Sequence, residues 1–466
     1  MSRTLATRRR LLQAGGLAAL SLSPLGQVFA RAGEATRRGV STGAGFGPLK
    51  PVLDEATGLP LLELPEGFRY RSFGWAGEAL ANGGKIRDAA DGMGIVQVEG
   101  EVYTLVRNHE CVDLAGSFGP AESHYDAPCG GGTVTLRYDR QAGKLLSATG
   151  SLSGTLQNCA GGVTPWGSWL SCEEIVTPDD HRGAFQGQRF HLPKSHGWVF
   201  EVPADGVSNA EPLYDLGQFR HEAAVVDPRD GTVYLTEDHR PAGFYRLLPK
   251  TPGKLAEGGR LQMLKARGSR DLRRGLKTGR RFDVEWVDIE NPRGGWRGLA
   301  GMDGLLRQGR AAGGSFFTRL EGLIVGEDEI FFTATDGGDA EAGQVFRYIP
   351  SSQTLELFYE SPSSAVLDYP DNICLAPGGG LLICEDSKQP VQRLYALDRR
   401  GGLAEIVRNH TRLDGSEAAF GHRGDFRGAE WAGACFSPDG RTLFANVYRP
   451  GFTVAIEGPW RALLTG

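Results

Sequence analysis

Residues 220–238 read RHEAAVVDPRDGTVYLTED. An apolar run at 223–226 meets a Pro-Arg-Asp-Gly turn. A second run at 232–236 follows and ends in two adjacent carboxylates, Glu237 and Asp238. Val-, Tyr- and Thr-rich runs on either side of Asp-Gly specify a β-hairpin, because the turn needs left-handed backbone that glycine supplies. The wording returns at 131–150 (GGTVTLRYDRQAGKLLSATG), 197–206 (GWVFEVPADG), 326–338, 343–360, 376–387 and 436–451. Such pairs recur roughly every 40–50 residues, the spacing of propeller blades. The expected fold is therefore all-β, a six-bladed β-propeller with inserted loops and short helices. A pair of packed β-sandwiches is the structural alternative, but its turns would not repeat one wording.

Composition agrees. The 466 residues include 68 Gly and 25 Pro, spread along the chain, which suits many strands and turns. The net charge is -5, and only 267–281 forms a basic block after the N-terminus, so nucleic acid is excluded as a partner. The first residues include Thr7, Arg8, Arg9, Leu11 and Leu12, the pattern of a twin-arginine export signal. The apolar run at 11–25 is too short to span a bilayer, and Ala30 and Ala32 allow cleavage nearby. This predicts a signal peptide over 1–32, use of the twin-arginine export machinery, and a periplasmic or secreted protein without a stable membrane anchor. Residues 33–466 are expected to form a single propeller domain. Within it, 33–65 reads as an extended arm and 68–73 as a strand. The stretch 251–313 reads as an insertion between blades with a helix over 297–308. A propeller closes its own sheet edges, so a monomer is expected.

The chemistry sits at strand ends. QNCAGGVTPWGSWLSCEE (157–174) sets Cys159 beside three small residues and ends a strand in Glu173 and Glu174. A thiol on a glycine-flanked bend can reach an ion that bulkier neighbours would block. RNHE offers Asn108, His109 and Glu110. The opening hairpin offers His221, Glu222, Glu237 and Asp238. FTRLEGL offers Arg319 and Glu321. PDNICLAPGGGLLICED offers Asp371, Asn372, Glu385 and Asp386, and EWAGACFSPDG offers Glu430. Any single acid beside a turn is ordinarily solvated or a cap. Six such clusters on equivalent strand ends would converge on one axis and stay ionised together only among cations. Oxygen-rich groups suit calcium, and a thiolate points to a transition metal beside it. His109 reads as a hydrogen-bonded orienter. Seven cysteines without a CxxC pair exclude a zinc knuckle, and Cys172, Cys374, Cys384 and Cys435 read as core. Arg319 and Glu321, two apart on a strand, share a face. That arrangement suits a phosphate or carboxylate ligand, or else a structural ion pair.

At these residues the chain resembles the PhoX-type alkaline phosphatases. The matching strings are RNHE, NCAGG-TPWG-WLSCEE, HEA-VVDP-GTVYLTED, R-EG, DN with GG-LLICED, and AG-CFSPDG-TLFANV, in order over about residues 100–451. The resemblance implies a six-bladed propeller whose channel holds a ferric pair with a cysteine thiolate ligand and several calcium ions, and which hydrolyses small-molecule phosphate esters. It places Cys159, Glu222 and Glu321 on iron-ligating positions and Arg319 on the phosphate-contacting arginine. Asn108, Glu110, Glu174, Glu237, Asp371, Asn372, Glu385 and Glu430 fall on calcium or bridging positions. Two other readings remain open: a calcium-dependent, lactonase-like propeller hydrolase, and a non-catalytic binding propeller stabilised by calcium.

Overall fold

The computed structural model describes residues 47–185, 188–298 and 301–461. The expected export signal at 1–32 lies outside the described residues. Among the described residues nearly all regular structure is antiparallel strand, and the α-helix Gly304–Ala311 is the one helix longer than a single turn. The fold is all-β and propeller-like.

Successive strands form antiparallel sheets. Ala90–Glu99, Val102–His109, Gly131–Asp139 and Lys144–Thr155 make the first, and Asn158–Val163, Ser168–Glu173 and Val199–Pro203 the next. His221–Val226 opens a sheet that runs through Gly259–Ala266. Arg281–Asp288 joins that sheet edgewise to the one opened by Leu320–Val325. Pro370–Leu375 opens the next sheet and Trp431–Phe436 the last. In that last sheet Phe452–Glu457 pairs with Arg69–Phe73, so the last described strand is joined to an early one. The opening strands pack one on the next, and Trp431–Phe436 returns to Ala90–Glu99, closing a ring. Apolar side chains fill the wedges between sheets. Trp75, for example, is fully buried and stacks on Phe452 at 4.1 Å.

One local device repeats around the ring. Just before each opening strand, a carbonyl accepts from the amide that ends the neighbouring strand. The bonds are Glu110 N–H to Ala89 O, Glu174 to Gln157, Asp238 to Arg220, Thr335 to Arg319, Asp386 to Tyr369 and Tyr448 to Glu430. A β-bulge follows in every opening strand, for instance between Asn158 and Gly161 and between Leu320 and Leu323. Bulges re-aim side chains and sharpen twist, which lets strands converge on an axis. Close approach there requires small residues. A Cβ on Gly322 would lie 2.3 Å from Asp371 O, and one on Gly92 2.5 Å from Ala160 Cα.

The stretch 251–313 contributes two sheet strands, Gly259–Ala266 and Arg281–Asp288, as well as the helix. The helix starts at Gly304 rather than at 297. Arg297 N–H bonds Gly301 O, and Gly298 is left-handed, so neither Arg297 nor Gly298 is helical. Of the arm at 33–65, Lys50–Val52 and Leu62–Leu64 form strands along the outer edge of the sheet containing Leu403–Asn409.

Candidate metal centre

The repeated device sets the site residues at matching heights. Two residues beyond each carbonyl acceptor stand Asp91, Cys159, Glu222, Glu321, Asp371 and Ala432. The amide donors themselves belong to Glu110, Glu174, Asp238, Thr335, Asp386 and Tyr448. Four of the acceptor residues, Ala89, Gln157, Arg319 and Tyr369, are non-glycine residues with φ between 39° and 57°. Strained backbone of this kind persists only where surrounding structure fixes it, and it gathers at functional sites.

These groups meet. The ligand atoms of Asp91, Glu110 and Cys159 lie within 4.8 Å of one another, and so do those of Cys159, Glu174 and Glu222. Cys159 Sγ donates to Asp91 Oδ2 at 3.4 Å. Gln157 Nε2 bridges Glu110 (3.2 Å) and Glu174 (2.7 Å). Burial pushes the Glu222 carboxyl far up, and the charges of Asp371, Glu321, Glu174 and Asp91 push it further. Burial, then Glu110 and Asp371, do the same to Asp91. Burial, then Asp371, raises Glu321. Burial and Asp386 raise Asp371 to about 7. Burial, then Asp386 and Asp91, raise Glu430. The Cys159 thiol is held well above its usual range by burial and then by Asp91.

Such a cluster is unstable as a set of charges on protein alone. Asp91 Oδ1 and Glu222 Oε1 are buried with no hydrogen-bond partner. An unsatisfied buried carboxylate oxygen costs on the order of 1–3 kcal/mol or more. Cations answer both problems, since they neutralise the acids and take the orphaned oxygens as ligands. The donor set, one thiol among many carboxylates, fits calcium together with a metal that accepts sulfur.

Two arginines cap the cluster. Arg319 binds Asp238 through Nε (3.0 Å) and Nη2 (3.2 Å), and Nη2 also meets Glu321. Arg220 Nη2 meets Glu174. Despite burial, Glu321 and Asp238 hold Arg319 charged, and Arg319 holds Asp238 below the usual carboxylate range against its burial. A cavity of about 340 Å³, lined by Arg220, Asp238, His239, Arg240 and Arg319, opens on this side. A second cavity, of about 240 Å³, is lined by the small residues next along the opening strands, among them Gly92, Ala160, Gly322 and Gly433.

The structure thus brings together Glu110, Cys159, Glu174, Glu222, Arg319, Glu321, Asp371 and Glu430. It does not bring Glu237 or Glu385 to the cluster. Glu237 Oε2 accepts from Gly243 N–H (2.7 Å) and Tyr245 O–H (2.9 Å), and burial raises this carboxyl to about 8. Glu385 is clamped by Arg393 through both carboxylate oxygens. Asn108 uses its whole amide on protein. It donates to Cys159 O and Ala160 O and accepts from Trp169 Nε1 and Ser171 Oγ, so it fixes the Cys159 bend. Asn372 donates to Asp371 Oδ1 and accepts from Gly433 N–H, positioning that acid. His109 is buried and bonds the Asp88 carbonyl at 2.9 Å. Asp91, Arg220 and Tyr448 stand in the cluster and were not singled out from sequence, whereas Asp238 and Asp386 were offered there but the resemblance put their neighbours Glu237 and Glu385 on the metal positions. A signal for Asp91 existed: Asp91-Gly92 repeats the pattern of Cys159-Ala160, Glu222-Ala223 and Glu321-Gly322, an acid or thiol followed by a small residue.

A pH dependence follows. A carboxyl raised on folding keeps its proton in the folded chain where the unfolded chain has lost it. Its contribution to stability therefore falls as pH rises from the ordinary carboxylate range through the folded value, about 7 for Asp371. Metal-stripped protein is expected to melt several degrees lower at about pH 8 than at about pH 5, and cations should remove most of that slope. Calorimetry with and without chelator measures it, and a flat profile for stripped protein contradicts the clustering.

The family model for alkaline phosphatase PhoX matches residues 44–144 and 142–451. Pseudomonas fluorescens PhoX, solved in complex with vanadate, a transition state analogue, superposes with a TM-score of 0.61 at 17% identity, covering 90% of this chain and 99% of that one. A Dyadobacter fermentans protein of unknown function gives 0.43 at 9% identity, covering 84% and 99%. A protein assigned as a gluconolactonase gives 0.41 at 12% identity, covering 89% and 98%. No curated sequence matches. No described helix is long and apolar enough to cross a membrane. With the family model matched over most of its length, the chain belongs to the PhoX family of alkaline phosphatases.

Proposed function

We propose that this protein is an exported, metal-dependent phosphomonoesterase that releases phosphate from small organic phosphate esters. The observation that carries the reading is a buried thiol–carboxylate cluster capped by two charged arginines at the mouth of a cavity. Cys159, Glu222 and Glu321 would hold a ferric pair, as the family resemblance implies, and both ligand triads of this cluster include Cys159. Glu110, Glu174, Asp371 and Glu430, joined by Asp91 and Asp386, would hold calcium. When bound, these ions supply Lewis-acid polarisation of the phosphoryl group and neutralise its oxygens.

The chain's own groups do the rest. Arg319, fixed by Asp238 in a two-point clamp, presents a permanent positive charge to equatorial phosphoryl oxygens, where charge spreads in the transition state. Arg220, anchored by Glu174, adds a second charge on the same wall. Asn108 and Asn372 keep Cys159 and Asp371 from shifting. The cavity beside His239 and Arg240 receives the alcohol portion of the ester.

We further read the ring of opening strands as six blades. Supporting this are six equivalent amide–carbonyl bonds and six bulges, with two neighbouring blades joined edgewise by Arg281–Asp288. A single propeller over 33–466, twin-arginine export to the periplasm or beyond, and a monomeric state complete the proposal. The test is hydrolysis of a chromogenic phosphomonoester by the exported protein. Release that chelator abolishes and iron with calcium restores is expected. Unchanged release after full chelation, or none from metal-loaded protein, overturns the reading.

A further inference from the structure

A second cluster of metal-ligating side chains lies away from the axis, between the first two sheets. Asp126, Cys129 and His196 are buried, at 3%, 0% and 0% exposure, and their ligand atoms lie within 4.8 Å of one another. Asp126 and Cys129 sit on the loop that follows Glu110, in a turn closed by Cys129 N–H to Asp126 O. His196 comes from the segment before Val199–Pro203, where Thr177 holds its amide.

The imidazole is set as a metal ligand would be. Its Nδ1 lies 2.6 Å from Glu173 Oε1. Glu173 is itself locked by Leu156 N–H on one oxygen and by Gly197 and Trp198 N–H on the other. A carboxylate on one ring nitrogen fixes the tautomer and turns the other nitrogen toward a metal. That other nitrogen makes no short bond. Nε2 lies 3.4 Å from Asp126 Oδ2, long for a hydrogen bond to oxygen, and 3.6 Å from Cys129 Sγ. They match the edges of a coordination tetrahedron. Metal–N and metal–O bonds of roughly 2.1 Å set N and O about 3.4 Å apart, and a metal–S bond of roughly 2.3 Å sets N and S about 3.6 Å apart.

We propose that Asp126, Cys129 and His196 bind a zinc ion, with Glu173 orienting His196. One nitrogen, one oxygen and one thiolate suit zinc rather than calcium. Binding expels the Cys129 thiol proton and ties the 111–130 loop to the second sheet. The loop starts beside Glu110, so the ion steadies the wall of the central cluster without belonging to it. The competing arrangement is metal-free, an imidazolium held between Glu173 and Asp126.

Cobalt(II) and zinc(II) separate the two. Full-length Cys159→Ala protein, which lacks the central thiol, is titrated with cobalt. A near-ultraviolet thiolate-to-cobalt band saturating at about one equivalent per chain is expected, displaced by zinc and absent from Cys159→Ala/Cys129→Ser. If Cys159→Ala does not fold, zinc content decides instead: wild type should hold about one equivalent more than Cys129→Ala or Asp126→Asn, and added zinc should raise its melting temperature but not theirs. A folded protein without the band, a band that survives loss of Cys129, or equal zinc in wild type and variants overturns the site.

Discussion

Replacing Cys159 by alanine is expected to abolish phosphomonoester hydrolysis and strip iron from the protein while leaving the chain folded. The thiol is buried, its pKa is raised by burial and by Asp91, and its one hydrogen-bond partner is Asp91 at 3.4 Å. A neutral thiol there contributes little to packing, and its loss costs about 1 kcal/mol of stability. As a thiolate among cations it belongs to both ligand triads of the central cluster, so its removal disturbs every ion around it. A fall in kcat/KM on the order of a thousandfold or more, about 4 kcal/mol of transition-state stabilisation, should follow. Steady-state assay, iron content and a thermal melt on one preparation separate chemistry from folding. Retained activity with iron bound would transfer the role to the carboxylates alone.

Arg319→Ala carries the second large effect. The side chain is 18% exposed, enough to meet a ligand, yet clamped by Asp238 and Glu321. Loss of a preorganised cation at a developing charge costs on the order of a hundredfold to a thousandfold. Lysine restores charge without the planar fork, so Arg319→Lys should recover about tenfold of that loss. Metal content should stay near wild type in both variants, because arginine binds no cation. Removing one partner of a buried ion pair leaves Asp238 uncompensated, so the alanine variant should also melt lower. Equal kcat/KM in wild type and Arg319→Ala, on folded and loaded protein, would remove Arg319 from phosphate recognition.

The fold was legible because Asp-Gly and Gly-Gly turns punctuate period-two runs, and that signal is local. Cys159, Glu222, Glu321 and Asp371 were legible for the same reason, each standing near the start of a readable strand. The choice within Glu173/Glu174, Glu237/Asp238 and Glu385/Asp386 was not. Alternation along a strand sends adjacent residues to opposite faces, but its phase near the axis depends on the amide–carbonyl bond and the bulge beyond it. The structure answers the same way each time: the second member faces the cluster, and the first is held by Leu156 and Gly197, by Gly243 and Tyr245, or by Arg393. The asparagines misled for a chemical reason. Their oxygens suit calcium, but a buried amide between strands is satisfied by backbone, as Asn108 is by Cys159 and Ala160. The Asp126–Cys129–His196 cluster was invisible because Cys129 and His196 stand 67 residues apart in different loops.

On the proposed function, the acids and the thiol around the axis hold iron and calcium together. Elemental analysis of protein produced by its native host and purified without chelator decides between this and a cluster free of iron. Iron and calcium bound together at a fixed ratio per chain, with iron lost in Cys159→Ala, is the predicted result. Calcium without iron, or neither metal in folded protein, would contradict it.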